Sequence, residues 1–218
     1  MMKPLADGRA DRIARIETKL WEAYYNREWL REFRLLVNLH REFFRMKLPA
    51  AILASYDAAR AAMVFAPLDT SDRPAARRHL VRYYTKVRRS LGCEAEATDL
   101  AERELHYWVV HRQVAGRRLA QVNDGRPIDD PDLTELEPVS DAFARLHAGL
   151  FNSTPEIMRE SGVYRAQAAA VVDRISGRYS PDVAADWGRV EAYLRLAYRA
   201  IEAATQGAES YEPSNRQP

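Results

Sequence analysis

The residues best equipped for chemistry lie in one run, Glu104-Leu105-His106-Tyr107-Trp108-Val109-Val110-His111-Arg112. On a helix, Glu104, Trp108, His111 and Arg112 stand at i, i+4, i+7 and i+8, so a carboxylate, an indole, an imidazole and a guanidinium share one stripe. That set suits acid and base catalysis. His111 would move a proton, Glu104 would orient it, and Arg112, or Arg165 from a later helix, would hold an anionic substrate. Trp108 and Tyr24, with Trp21, Tyr25, Trp29, Tyr83, Tyr84 and Tyr107, supply amphipathic rings that can line a ligand pocket between helices. The bland use of the same stripe is a Glu104–Arg112 or Glu104–His111 network that holds helices in register, with the rings as core packing.

A second chemistry is a metal centre. His40 stands between Val37 and Phe44, and His147 between Phe143 and Leu150, so both imidazoles fall on apolar faces and need a hydrogen-bond partner or a metal. Together with Glu17, Glu104 and His111 they could present mixed carboxylate and imidazole ligands to a transition metal such as iron in a bundle core. Against this, the chain has no Glu-x-x-His pair, the spacing with which one helix serves a di-iron centre. Glu102 and His106 come nearest, at i+4. Glu104 and His111 lie about 10 Å apart along a helix axis, so they reach one ion only if their side chains converge.

Other chemistries are unsupported. No serine or cysteine nucleophile signature and no glycine-rich phosphate cradle occurs, and Cys93 follows a helix terminator. Arg73, Arg77, Arg78, Arg82, Lys86, Arg88 and Arg89 crowd one helix, with Arg78, Arg82, Lys86 and Arg89 on its outer face. This stripe offers the alternative reading, an interaction or regulatory protein that docks an acidic partner or nucleic acid. No recognition-helix or aromatic RNA motif accompanies it, and Glu94, Glu96, Asp99 and Glu102 follow closely enough to neutralise it, so nucleic acid is not the expected partner. Arg165 and Asp173, at i+8 on an alanine-rich helix, lie on one side and can join the polar cluster of the Glu104 helix or pair at the bundle edge.

The elements that must position these groups are all helical. Ile13, Ile16, Leu20 and Tyr24 repeat at helical spacing, then Leu30, Phe33, Val37, His40 and Phe44, with a shift of phase that predicts a bend near Asn26. Pro49 opens a helix with the stripe Ile52, Tyr56, Ala59 and Met63. Ser71 or Asp72 caps the next, which Gly92 ends. A helix over about Ala97–Leu119 carries the Glu104 stripe, and Asp129-Asp130-Pro131 belongs to an acidic loop. A helix follows to Phe151, Thr154-Pro155 caps another to Ser176-Gly177, and Ser180-Pro181-Asp182 opens the last, with Trp187, Val190, Leu194, Tyr198 and Ile201 inward. No stretch alternates with period two. The expected fold is an all-α antiparallel bundle of seven or eight helices, one domain over 1–206 with a disordered tail over 207–218.

Composition bounds the setting. The 33 basic and 31 acidic residues leave a net charge of +2, no field toward nucleic acid or membrane. A single cysteine excludes an intramolecular disulfide or multi-cysteine zinc site and fits a reducing cytoplasm. The N-terminus lacks an apolar stretch of secretory length, and no run reaches the roughly 18–20 apolar residues of a spanning helix. The sequence thus points to a cytoplasmic enzyme or binding protein for a small anionic or aromatic molecule, with no membrane partner.

Overall fold

Helix boundaries follow local capping chemistry. Asp72 accepts a hydrogen bond from the Ala75 amide at 2.8 Å, Pro74 occupies the first turn, and Gly92 at φ 75° ends the helix between them, Arg73–Leu91. The computed structural model describes residues 8–125 and 132–209, without the side chains of 207–209. Over that range it contains eight helices and no strand: α1 (Arg9–Tyr25), α2 (Trp29–Phe43), α3 (Leu48–Phe65), α4 (Arg73–Leu91), α5 (Ala97–Asn123), α6 (Leu133–Leu150), α7 (Arg159–Ser176) and α8 (Val183–Glu209).

Short connections make consecutive helices antiparallel neighbours. Each packs chiefly on the helix before and after it, and α8 returns to pack on α1, so the bundle is a closed ring. Ile13, Leu80, Leu100, Phe143, Leu194 and Ile201 are fully buried inside it. The bend foreseen near Asn26 is the α1–α2 junction, where Arg27 takes φ 59°. Val190, Leu194, Tyr198 and Ile201 all point inward, and Trp187 is partly buried.

Four expectations change. On α3 the expected stripe splits: Ile52, Tyr56 and Met63 face out rather than in, and only Ala59 is turned toward the interior. Ala51, Ala54, Ser55 and Ala61 form the inner face, because small side chains let the helix axis come close to α2 and α4. Residues 155–158 form turns, so α7 begins at Arg159, later than Thr154-Pro155 suggested. α5 runs one turn past Leu119, to Asn123. α8 continues through Gly207 to Glu209; the remaining tail, 210–218, and Asp129-Asp130-Pro131 lie outside the described residues. Among the described helices only α3 is long and apolar enough to cross a membrane, and only a third of it is buried.

Candidate functional site: a cavity inside the helical ring

The ring encloses a cavity of about 370 Å³ to which every helix contributes a side chain: Glu17, His40, Ala59, Tyr84, Glu104, Phe143, Arg165 and Tyr198, in the order α1 to α8. This volume lies within the range of small-molecule sites. Tyr24 and Tyr25 at the end of α1 line it and are each 41% exposed, so the cavity meets solvent at the α1–α2 junction. There Tyr24 stands edge-on to Tyr25 and Trp29.

Glu104 projects into this space from α5. The Tyr84 hydroxyl donates to its Oε2 at 2.8 Å, and the indole of Trp108, one turn along, donates to its Oε1 at 2.8 Å. Burial raises its pKa, opposed by those two hydrogen bonds and by the charge of Arg165. It is nonetheless only partly buried by surface area, because its accessible atoms face cavity space instead of bulk water. No cation contacts it directly among the described residues.

Across the cavity, Arg165 Nη1 donates to Glu17 Oε2 at 2.6 Å, and the Tyr198 hydroxyl donates to the same carboxylate oxygen. The guanidinium lies over the ring of Phe143 at 5.0 Å and within 6 Å of the Trp21 and Tyr198 rings. Burial works against its charge, but Glu17 and the neighbouring tyrosines outweigh that and hold it firmly protonated. Its Nε is buried with no hydrogen-bond partner.

His111 is oriented by Asp173 of α7, which stands 3.0 Å from Nε2, and stacks on Tyr107. Glu104 therefore does not orient His111; Asp173 occupies that role. Arg112 is also displaced from the site. Its Nη2 donates to the carbonyls of Phe65 at 2.7 Å and Ala66 at 3.3 Å, and its guanidinium covers the Phe65 ring at 3.9 Å. A spacing of eight residues rotates Arg112 about 80° from Glu104 around the helix, enough to turn it out of the cavity wall and onto the carbonyl end of α3.

Glu17, His40, Glu104, His111 and His147 all line this one cavity. They do not gather into a ligand set, and among the described residues no three His, Cys, Asp or Glu side chains are grouped to hold a metal. His40 places Nδ1 2.8 Å from Ser55 Oγ and Nε2 3.2 Å from the Tyr83 hydroxyl. His147 places Nδ1 2.8 Å from Ser161 Oγ, which itself donates to the Met158 carbonyl. Burial lowers the pKa of both histidines to about 3, so each is a neutral imidazole held by its own serine.

Tyr198 and Ser55 were not legible as site residues, and Tyr84 was legible as a pocket ring but not as the donor to Glu104. Tyr198 belongs to an inward apolar stripe, and nothing in that periodicity tells which hydroxyl will meet a carboxylate from α1. Ser55 was hidden because α3 carries two competing faces. No protein-family model, curated protein or solved structure matches the chain, so its functional reading rests on the cavity itself.

Proposed function

We propose that this protein binds a small aromatic or apolar molecule in the ring cavity and exchanges a proton with it at Glu104, as an enzyme or a binding protein. The observation that carries this reading is a carboxyl group with raised pKa, free of any direct cation, at the wall of an aromatic cavity of ligand size. A raised pKa brings the group closer to the pH range where proton exchange is efficient.

The charge pattern narrows the ligand. Glu17 and Arg165 cancel, so the state of Glu104 leaves these three groups neutral or singly negative. An anion gains little there, whereas an amine or hydroxyl donates to Glu104 while its ring packs among Trp21, Tyr107, Trp108 and Phe143. The anionic substrate expected from Arg112 and Arg165 is replaced by a neutral or basic one, because Arg112 has left the site and Arg165 is already paired. His111 with Asp173 is a second proton-transfer pair on the wall.

Thermal-shift titration with 2-naphthylmethylamine, 2-naphthylmethanol and 2-naphthoate tests this reading. The amine and the alcohol should stabilise the protein and the carboxylate should not. Glu104→Gln should abolish the response to the amine and spare that to the alcohol, and Ala59→Phe should remove both by filling the cavity. If none of the three shifts the transition at millimolar concentration, or if all shift it equally in Ala59→Phe, the proposal fails.

A further inference from the structure

Helix α3 turns its large apolar side chains outward. Ile52 is 42% exposed, Leu53 57%, Tyr56 55% and Met63 62%, and Leu48 at the first turn is half-exposed. Their spacing places them on one face, opposite the buried Ala51, Ala54 and Ala61. The only charged side chains on α3 are Arg60, which is exposed, and Asp57, which is buried and paired with Lys86 Nζ at 2.6 Å. A soluble helix with an inner apolar face normally carries charge on the outer one. Apart from Arg60, this helix is apolar on both.

The two neighbouring helices supply cations. On α2, Arg34 and Arg41 are exposed, and on α4, which contains no acidic residue, so are Arg78, Arg82 and Arg89. None of these five makes an ion pair with a described residue, whereas Arg77 and Arg88 are engaged by Glu102 and Glu96 on the α5 side. The acidic residues that follow α4 therefore neutralise its α5 flank and leave its outer face positive. An apolar helix between two positive shoulders is the pattern of a segment that lies in a lipid interface, with rings and aliphatic chains in the acyl boundary and arginines on anionic headgroups.

We infer that the outer face of α3, flanked by the arginines of α2 and α4, docks the protein on a membrane surface rich in anionic phospholipid. The helix lies on the membrane and does not cross it, because its other face is committed to the ring through Ala51, Ala54, Ser55 and Ala61. A second copy of the chain is a poorer occupant. Pairing α3 with its own copy sets positive shoulder against positive shoulder, a like-charge arrangement that costs association energy. The expectation of no membrane partner came from net charge and run length, and neither responds to an apolar stripe beside a local cluster of arginines.

The test is flotation of the full chain with vesicles of phosphatidylcholine alone and of phosphatidylcholine with 40% phosphatidylglycerol, at 50 and 500 mM salt. Binding should appear only on the anionic vesicles and fall at high salt. Leu53→Glu with Tyr56→Glu should abolish it, and Arg82→Glu with Arg89→Glu should weaken it by about tenfold or more. All four positions are exposed, so the fold should persist, and far-UV circular dichroism checks that. The inference is overturned if anionic vesicles capture nothing at 50 mM salt. It is equally overturned if the Leu53 and Tyr56 changes leave capture intact, or if those changes instead split a dimer seen by sedimentation.

Discussion

Arg165 of α7 and Glu17 of α1, 148 residues apart in the chain, meet at 2.6 Å in the cavity wall, and Tyr198 of α8 donates to the same carboxylate oxygen. Three helices that arrive at opposite ends of the sequence are thereby tied together at one point, at the edge of the space where a ligand would sit.

Breaking that pair should be costly. Both side chains are largely buried, so Arg165→Met leaves an uncompensated carboxylate and should destabilise the fold by about 3–5 kcal/mol. The double change Glu17→Gln with Arg165→Met should cost clearly less than the sum of the two single changes. Urea unfolding of the four proteins in a double-mutant cycle gives the coupling, and strict additivity would contradict this reading of the wall.

The two serine-held histidines set an acid limit. Their folded pKa of about 3 lies below the unfolded value near 6.5, so the unfolded chain takes up protons first as pH falls. Their contribution to stability is complete above about 6.5 and is lost progressively between there and about 3, with a slope approaching about 1.4 kcal/mol per pH unit for each histidine. His147→Gln should remove one such slope. The measurement is unfolding free energy from pH 7 to pH 4, with parallel curves for the variant and the parent as the contrary result.

Glu104 predicts the opposite sign. Its folded pKa is raised, so its favourable contribution is present below the unfolded carboxyl pKa and is lost as pH rises through the folded one. Glu104→Gln mimics the neutral acid, keeps a hydrogen-bonding group beside Tyr84 and Trp108, and should gain stability relative to the parent as pH increases toward 8. Comparing melting temperatures of the two proteins at pH 5 and pH 8 checks this. A difference that does not change with pH would remove the proton-exchange role from Glu104.

Close packing of α6 on α7 gives a further outcome. A methyl group on Gly162 would lie 2.4 Å from the Ser140 carbonyl oxygen, while one on Gly116 or Gly188 would meet nothing within 4 Å. Gly162→Ala should therefore cost about 1–3 kcal/mol by forcing the helices apart. Gly116→Ala and Gly188→Ala should be neutral or stabilising by up to about 1 kcal/mol, through helix propensity alone. Thermal melts of the three variants suffice.

The residue pattern alone determined the all-helical class, the α1–α2 break near Asn26, the Asp72 and Gly92 limits of α4 and the inward stripe of α8. Each depends on interactions within a turn or two of helix, which are written in adjacent residues. It also found Glu104, Trp108 and His111 as cavity residues, because one helix carries all three. It did not fix their partners, although it allowed Asp173 to join the polar cluster of α5. Asp173 rather than Glu104 meets His111, Glu17 takes Arg165, serines take His40 and His147, and Arg112 caps α3, since these pairings depend on how eight helices rotate and close into a ring. The orientation of α3 was decided there too: alanines on one side and large apolar residues on the other are equally hydrophobic in sequence, and only the close approach of neighbouring axes selects the alanine face for the interior.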